Sequence, residues 1–113
     1  MSNVKLDRLG STFEKTISQI LATEIKDENI KFVTITGCEI TNDLSFAKVY
    51  FTVLDMNKKE ETVKALDKAK SFIRGEISKR INIRHTPELR FIFDESVEYG
   101  NKIEKIIDDI NNK

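Results

Sequence analysis

The chain has 113 residues with 19 basic and 19 acidic side chains, so its formal net charge at pH 7 is zero. This length predicts one domain over residues 1–113, and the single cysteine, Cys38, excludes an intrachain disulfide and a zinc site built on several thiolates. No apolar run approaches a membrane span and the first residues lack the apolar stretch of a signal peptide, so we expect a cytoplasmic protein that binds no membrane.

The first predicted element is an amphipathic helix over residues 6–25. Its apolar residues recur at three or four positions, which gathers them on one face: Leu6, Leu9, Phe13, Ile17, Ile20, Leu21 and Ile25. The apolar period then changes to about two from Phe32 to Ile40, and again from Phe46 to Leu54. Turn-forming residues at 41–45 separate these two runs, which predicts an antiparallel hairpin.

A second helical pattern follows the hairpin. Its apolar residues fall within about 120° of an ideal helical wheel: Val63, Leu66, Ala69, Ile73, Ile77 and Ile81. One long helix or two helices joined at a bend both fit this pattern, since Ser71 and Gly75 are weak helix formers. Pro87 ends the helical region and starts a strand over residues 88–94. Residues 97–113 are expected to form a C-terminal helix or a flexible tail.

This order predicts an α+β fold, α-β-β-α-α-β, with a three-stranded sheet and helices on one face. The type II KH module, which binds single-stranded RNA, has the same order. A typical KH domain carries a GXXG loop, and this chain has none, because its glycines stand at 10, 37, 75 and 100.

Positive charge is concentrated in one segment. Residues 64–90 contain eight Lys or Arg and three acidic residues, a local charge of +5. Such a segment is typical of a surface that binds a phosphate-rich partner, although solvated helix surfaces can be equally charged. Phe72 and Tyr50 could stack on bases. We expect Phe72 in the core, because it adjoins the apolar stripe, and Tyr50 could take either role.

Catalysis has little support in the sequence. A nucleophilic pair would require Cys38 and His85 to meet, yet Cys38 falls in a predicted strand, where a buried thiol is the usual reason for a cysteine. No nucleotide-binding glycine pattern or calcium-loop spacing is present. We therefore expect a protein that is not an enzyme and that holds no cofactor or metal.

Nearly the whole chain resembles the ribosome-binding factor A family. The stretches that carry the likeness are Asp43 to Tyr50, Phe72 to Arg74, Lys79 to Ile81, Ile83 with Arg84, Pro87 to Leu89 with Phe91, and Asp94 with Ser96, Glu98, Gly100 and Ile103. The resemblance implies a KH-like type II domain in which a kinked Ala-X-Gly between two helices replaces the GXXG. The matching positions are Ala69, Lys70 and Ser71, with serine in place of the expected glycine.

The resemblance also implies a monomeric assembly factor. Such a factor would bind the free or immature 30S subunit and 16S rRNA, assist late maturation and processing of that rRNA, matter most in the cold, and act beside assembly GTPases. From the basic segment and the resemblance we expect these RNA-binding residues: Lys5, Arg8, Lys70, Ser71, Arg74, Lys79, Arg80 and Arg84. The alternative is a small α+β protein–protein or regulatory module without RNA binding.

Overall fold

The computed structural model describes residues 4–95, and its elements follow the predicted order with one exception. Helix α1 spans Val4–Thr23, strand β1 Val33–Ile40, strand β2 Phe46–Val53, a 3₁₀ turn Met56–Lys58, helix α2 Lys59–Arg80 and strand β3 Glu88–Phe93. The predicted C-terminal helix or tail at 97–113 lies outside the described residues. No helix within residues 4–95 is long and apolar enough to cross a membrane.

Strand β2 is the central strand of the sheet, whose order is β1-β2-β3. It pairs antiparallel with β1, as the hairpin prediction requires, and parallel with β3. In the hairpin turn, Asp43 Oδ1 accepts hydrogen bonds from the Ser45 N–H at 3.0 Å and the Thr41 hydroxyl at 2.9 Å. Hydrogen bonds from Ser45 and Thr41 hold the pKa of Asp43 below its usual value. Leu44 closes this turn with a left-handed φ of 60°.

Both helices cover the same face of the sheet. The central strand turns Ala47, Val49 and Phe51 into the core, as its alternation predicts. The helices add fully buried residues at the predicted spacing: Phe13, Ile17 and Ile20 from α1, and Leu66, Ile73 and Ile77 from α2. The α+β prediction, with a three-stranded sheet and helices on one face, is confirmed.

Helix α1 approaches β1 very closely at Gly10. A Cβ added there would lie 2.5 Å from the carbonyl oxygen of Cys38, a separation that real Cβ atoms essentially never show. Glycine is therefore required at this position by the packing of the helix on the strand.

Helix α2 is where the structure departs from the expected element order. It is one α-helix of 22 residues that passes through Ala69, Lys70 and Ser71, where the resemblance implied a kink between two helices. Serine is a better helix former than glycine, so Ser71 favours an uninterrupted helix at the position where the family pattern has glycine. The helix ends at Arg80, and Ile81 turns to an extended conformation while its N–H still bonds to the Ile77 carbonyl.

Phe72 does not belong to the core, and the prediction that it does is wrong. Its side chain is 47% exposed, whereas its neighbour Ile73 is fully buried. Adjacent helical residues point about 100° apart, so Phe72 falls at the edge of the apolar stripe. There it faces a groove beside the α1–β1 connection.

Candidate nucleic-acid interface

A polar cleft of about 430 Å³ lies between α2 and the segment at residues 81–87 that leads into β3. We call it the basic cleft, and these residues line it: Ser71, Arg74, Gly75, Ser78, Arg84, His85 and Thr86. Three of the predicted RNA-binding residues, Ser71, Arg74 and Arg84, thus meet at one site. Gly75, Ser78 and Thr86 were missed as site residues, and His85 also lines the cleft.

The α2 wall of the basic cleft is built from small residues. Ser71, Gly75 and Ser78 are four and three positions apart, so they share one helix face. A Cβ added at Gly75 would have no heavy atom within 4 Å, so the wall is open above the glycine. This spacing was the sequence signal that could have identified the cleft wall. A ligand backbone can approach the helix here more closely than it could over larger side chains.

The other wall of the cleft is fixed by Arg74. Its Nε and Nη2 donate hydrogen bonds of 3.2 and 2.7 Å to the carbonyl oxygen of Thr86. This fork ties α2 to the connection just before Pro87, which is itself buried. Arg74 is therefore partly committed to holding the cleft in shape, and its Nη1 is not used in these two bonds.

Arg84 and His85 project from the segment that Arg74 fixes, and both side chains are exposed. A guanidinium can donate two parallel hydrogen bonds to a phosphate, and serine hydroxyls can donate further bonds. The cleft combines one exposed guanidinium, a second that is half-buried, and two hydroxyls on an open helix face. This arrangement is suited to binding a phosphate group of a polymer that remains partly in solvent.

Three further predicted residues lie outside the cleft and are engaged by carboxylates. Lys70 lies 3.9 Å from Asp67, and Lys79 lies 3.6 Å from Glu76. Arg80 approaches Glu76 at 3.5 Å and Glu24, on the loop after α1, at 3.4 Å. These pairs lie at the protein surface, although Glu76 is partly buried, and surface pairs are worth about 0–1 kcal/mol, so a phosphate can compete for these cations.

The two residues predicted from the first helix occupy another part of the fold. Lys5 and Arg8 are exposed on α1, which packs chiefly against β1. The basic cleft lies beside β3, the strand at the opposite edge of the sheet. Lys5 and Arg8 would therefore contact a different part of any RNA that fills the cleft.

Cys38 and His85 do not form a catalytic pair. Cys38 lies in β1, whereas His85 lies in the connection to β3, and β2 separates the two strands. Burial, with smaller contributions from Glu14 and Glu39, raises the pKa of the Cys38 thiol to about 12. The thiol is thus protonated at neutral pH and is a poor nucleophile.

Tyr50 lies on the sheet face opposite the helices. Its hydroxyl donates a 3.4 Å hydrogen bond to Glu39 Oε2. Burial, the nearby charge of Glu39 and this hydrogen bond together raise the pKa of Tyr50. Because its partner is a carboxylate, this surface is less favourable for phosphate than the basic cleft.

The element order and the sheet define a class of protein, namely the KH-like α+β domains, here without a GXXG loop. The sequence model of Ribosome-binding factor A matches residues 5–107. A Ribosome-binding factor A from Staphylococcus carnosus (strain TM300) is 48% identical over 114 aligned positions, which cover 100% of this chain and 99% of that relative. The chain belongs to the ribosome-binding factor A family.

Solved structures of the family have the same fold. The crystal structure of ribosome-binding factor A from Thermus thermophilus superposes with a TM-score of 0.72 at 18% identity, over 78% of this chain and 93% of that one. A homology model of the Thermus thermophilus factor, fitted into the cryo-EM map of a 30S–RbfA complex, gives a TM-score of 0.67 at 18% identity, over 80% of this chain and 96% of that one.

Proposed function

We propose that this chain is a ribosome assembly factor that binds the free or immature 30S subunit through 16S rRNA, without catalysing a reaction. Family membership supports this function, as does the related Thermus thermophilus factor, a homology model of which has been fitted into the cryo-EM map of a 30S complex. The observation that carries the proposal is the basic cleft. It brings two arginines and two serines together over an open glycine, in a fold whose relatives bind ribosomes.

In this proposal the basic cleft replaces the GXXG loop. Gly75 and its two serine neighbours let an RNA backbone approach α2, and Arg84 binds a phosphate from the opposite wall. Arg74 acts mainly by positioning that wall through the Thr86 carbonyl. The single domain would then bind RNA at the junction between its long helix and its last strand.

The other predicted cations lie around the C-terminal half of α2, outside the basic cleft. The weak carboxylate pairs of Lys70, Lys79 and Arg80 would exchange for phosphates there. Arg80, whose partner Glu24 lies on the loop after α1, would contact a part of the rRNA away from the cleft. Lys5 and Arg8 would contact a more distant part of the rRNA. If about four to six phosphates are neutralised, the log–log slope of affinity against salt is roughly −3 to −5.

The biological role proposed with this binding mode is assistance in late maturation and processing of 16S rRNA. The factor would act in the cytoplasm as a monomer, matter most in the cold, and work beside assembly GTPases. RNA that pairs wrongly rearranges slowly at low temperature, which is the condition in which a bound protein that restrains one conformation is most useful.

Sedimentation with purified ribosomal particles tests this function. We expect the protein to pellet with free 30S subunits at about 50 mM salt and to be released at about 200 mM salt, because its contacts are largely to phosphates. Large subunits and intact ribosomes provide the comparison. No association with any particle at low salt would instead favour a protein–protein or regulatory module.

A further inference from the structure

A groove of about 640 Å³ lies between α2 and the connection from α1 to β1. Ala69 and Phe72 line it from α2, and Ile25 lines it from the connection. At 100° per residue, Ala69 and Phe72 lie about 140° around the helix from the residues of the basic cleft. The two concavities therefore open on different sides of α2.

Negative charge surrounds this groove, which we call the acidic groove. Glu24, Asp27 and Glu28 line it, and Lys26 is the one cation among the lining residues, so the side chains sum to −2. A rim of this charge repels phosphate and attracts a positively charged partner. Although the net charge of the chain is zero, its surface has a positively charged region at the basic cleft and a negatively charged one at the acidic groove.

The acidic groove is preformed. The hydroxyl of Thr62, a buried residue of α2, donates a 2.9 Å hydrogen bond to the carbonyl of Asn29 in the connection. The Asn29 N–H in turn donates to Asp27 Oδ1 at 2.9 Å. These bonds fix the Asp27 carboxylate relative to α2, so a ligand does not have to order the connection between α1 and β1.

Phe72 gives the acidic groove an exposed aromatic surface. Elsewhere in the fold, Arg90 lies 4.0 Å from the centroid of the Phe46 ring, and Lys31 lies 5.6 Å from that of exposed Phe32. Within residues 4–95 no such cation covers Phe72. Glu24, Asp27 and Glu28 line the same groove, so a cation held over this ring would enter a region of negative charge.

The rim already binds a guanidinium from the chain itself. Arg80 Nη2 lies 3.4 Å from Glu24 Oε1, in a contact between the end of α2 and the loop after α1. This pair offsets the charge of Glu24. Within residues 4–95, Asp27 and Glu28 are rim carboxylates without an ion pair, and they are left for an arginine or a lysine from outside.

We propose that the acidic groove docks an extended peptide segment rich in Lys and Arg, supplied by a protein partner. One cation of the segment lies over Phe72 and pairs with Asp27 or Glu28, while an aliphatic side chain contacts Ile25 and Ala69. Docking here is separate from RNA binding, and the acidic groove can bind such a segment whether or not the basic cleft binds rRNA.

The test uses a synthetic peptide of four Arg-Leu-Lys repeats, titrated into the ¹⁵N-labelled full chain at low salt. We expect the amide resonances of residues 24–29 and 69–72 to shift on binding. Asp27→Asn with Glu28→Gln weakens binding about fivefold, because two rim charges are lost while the Oδ1 acceptor at position 27 is kept. Phe72→Ala weakens it by a similar factor, since the cation–π contact is removed.

Matched variants separate this site from general attraction between opposite charges. Glu60→Gln with Glu61→Gln removes two acidic side chains from the start of α2, and Phe32→Ala removes an exposed ring outside the groove. We expect neither control to change the affinity for the peptide. Equal weakening by the control and test pairs overturns the proposal, as does a shift pattern centred elsewhere. An oligouridylate probe provides a further comparison. If it shifts the amide resonances of the acidic groove and the peptide does not, the groove binds RNA and the peptide-docking proposal is overturned.

Discussion

Arg74 on α2 is bonded twice to the carbonyl oxygen of Thr86, through Nε at 3.2 Å and Nη2 at 2.7 Å. The bonds join the long helix to the segment that carries Arg84 and His85. This contact fixes the shape of the basic cleft, because it ties the wall formed by residues 84–86 to the wall formed by α2.

Substitution of Arg74 is expected to affect stability first. Arg74→Ala loses two charge-assisted hydrogen bonds, at a cost of about 1–3 kcal/mol in the free energy of unfolding. Arg74→Lys recovers only part of this, because an ammonium cannot form the same fork. Urea unfolding followed by circular dichroism measures both variants. Arg84→Ala is the control, with stability within about 0.5 kcal/mol of the wild type. Equal stability of Arg74→Ala and the wild type would contradict a structural role for the fork.

Gly75→Ala separates stability from binding. The added methyl group meets no heavy atom within 4 Å, so the helix gains about 1 kcal/mol of propensity and the melting temperature rises. The same methyl group protrudes into the basic cleft and weakens RNA binding in a filter or fluorescence titration. Ser18→Ala, an exposed serine on α1, raises helix propensity without changing RNA affinity. A stabilised Gly75→Ala variant with wild-type RNA affinity would remove the cleft from the proposed interface.

Gly10→Ala is expected to destabilise the fold. The new Cβ would fall 2.5 Å from the Cys38 carbonyl oxygen, so α1 must move away from β1, at about 1–3 kcal/mol for overpacking. Gly37→Ala is the matched control, since its Cβ would lie 4.0 Å from the Tyr50 ring. Thermal unfolding of the two variants gives the comparison. A Gly10→Ala protein as stable as Gly37→Ala would show that the helix is not held against the strand at this point.

The raised pKa of the Cys38 thiol is expected to lower the free energy of unfolding at alkaline pH. The unfolded thiol ionises near its ordinary pKa of 9.0, whereas burial keeps the folded thiol protonated up to about 12. The unfolded state therefore binds fewer protons than the folded state between these values, and the free energy of unfolding falls as the pH rises. Other groups titrate there too, so the measurement is the difference between the wild type and Cys38→Ala. That difference is constant below about pH 8, and above pH 9 the wild type loses stability relative to Cys38→Ala. A difference independent of pH contradicts the burial of the thiol.

The strands and the buried faces of the helices could be predicted from the sequence. Ala47, Val49 and Phe51 alternate with polar neighbours, and Ile73 and Ile77 follow a helical period, so local pattern and burial agree. Phe72 shows the limit of this reasoning. Whether the edge of an apolar stripe is covered depends on how closely the connection at residues 24–29 approaches α2, and the sequence does not specify that distance.

The candidate site could be predicted only in part. The charge of residues 64–90 pointed to Arg74 and Arg84 as members of one surface, but not to the different uses of the two guanidiniums. The Arg74 fork depends on the chain returning to α2 at Thr86, a tertiary contact across twelve positions. The family pattern implied a kink between two helices at Ser71, where the structure has one continuous α-helix.

The 30S affinity of Arg84→Glu, compared with that of Lys58→Glu, tests directly whether the basic cleft binds rRNA. Both side chains are exposed and both changes remove one positive charge and add one negative charge, but Lys58 lies before α2 and outside the basic cleft. If the cleft binds rRNA, Arg84→Glu weakens binding to free 30S subunits by about tenfold or more, while Lys58→Glu stays within about twofold of the wild type. Equal weakening by the two variants would contradict rRNA binding in the basic cleft and would mean that the protein binds the subunit by general charge attraction.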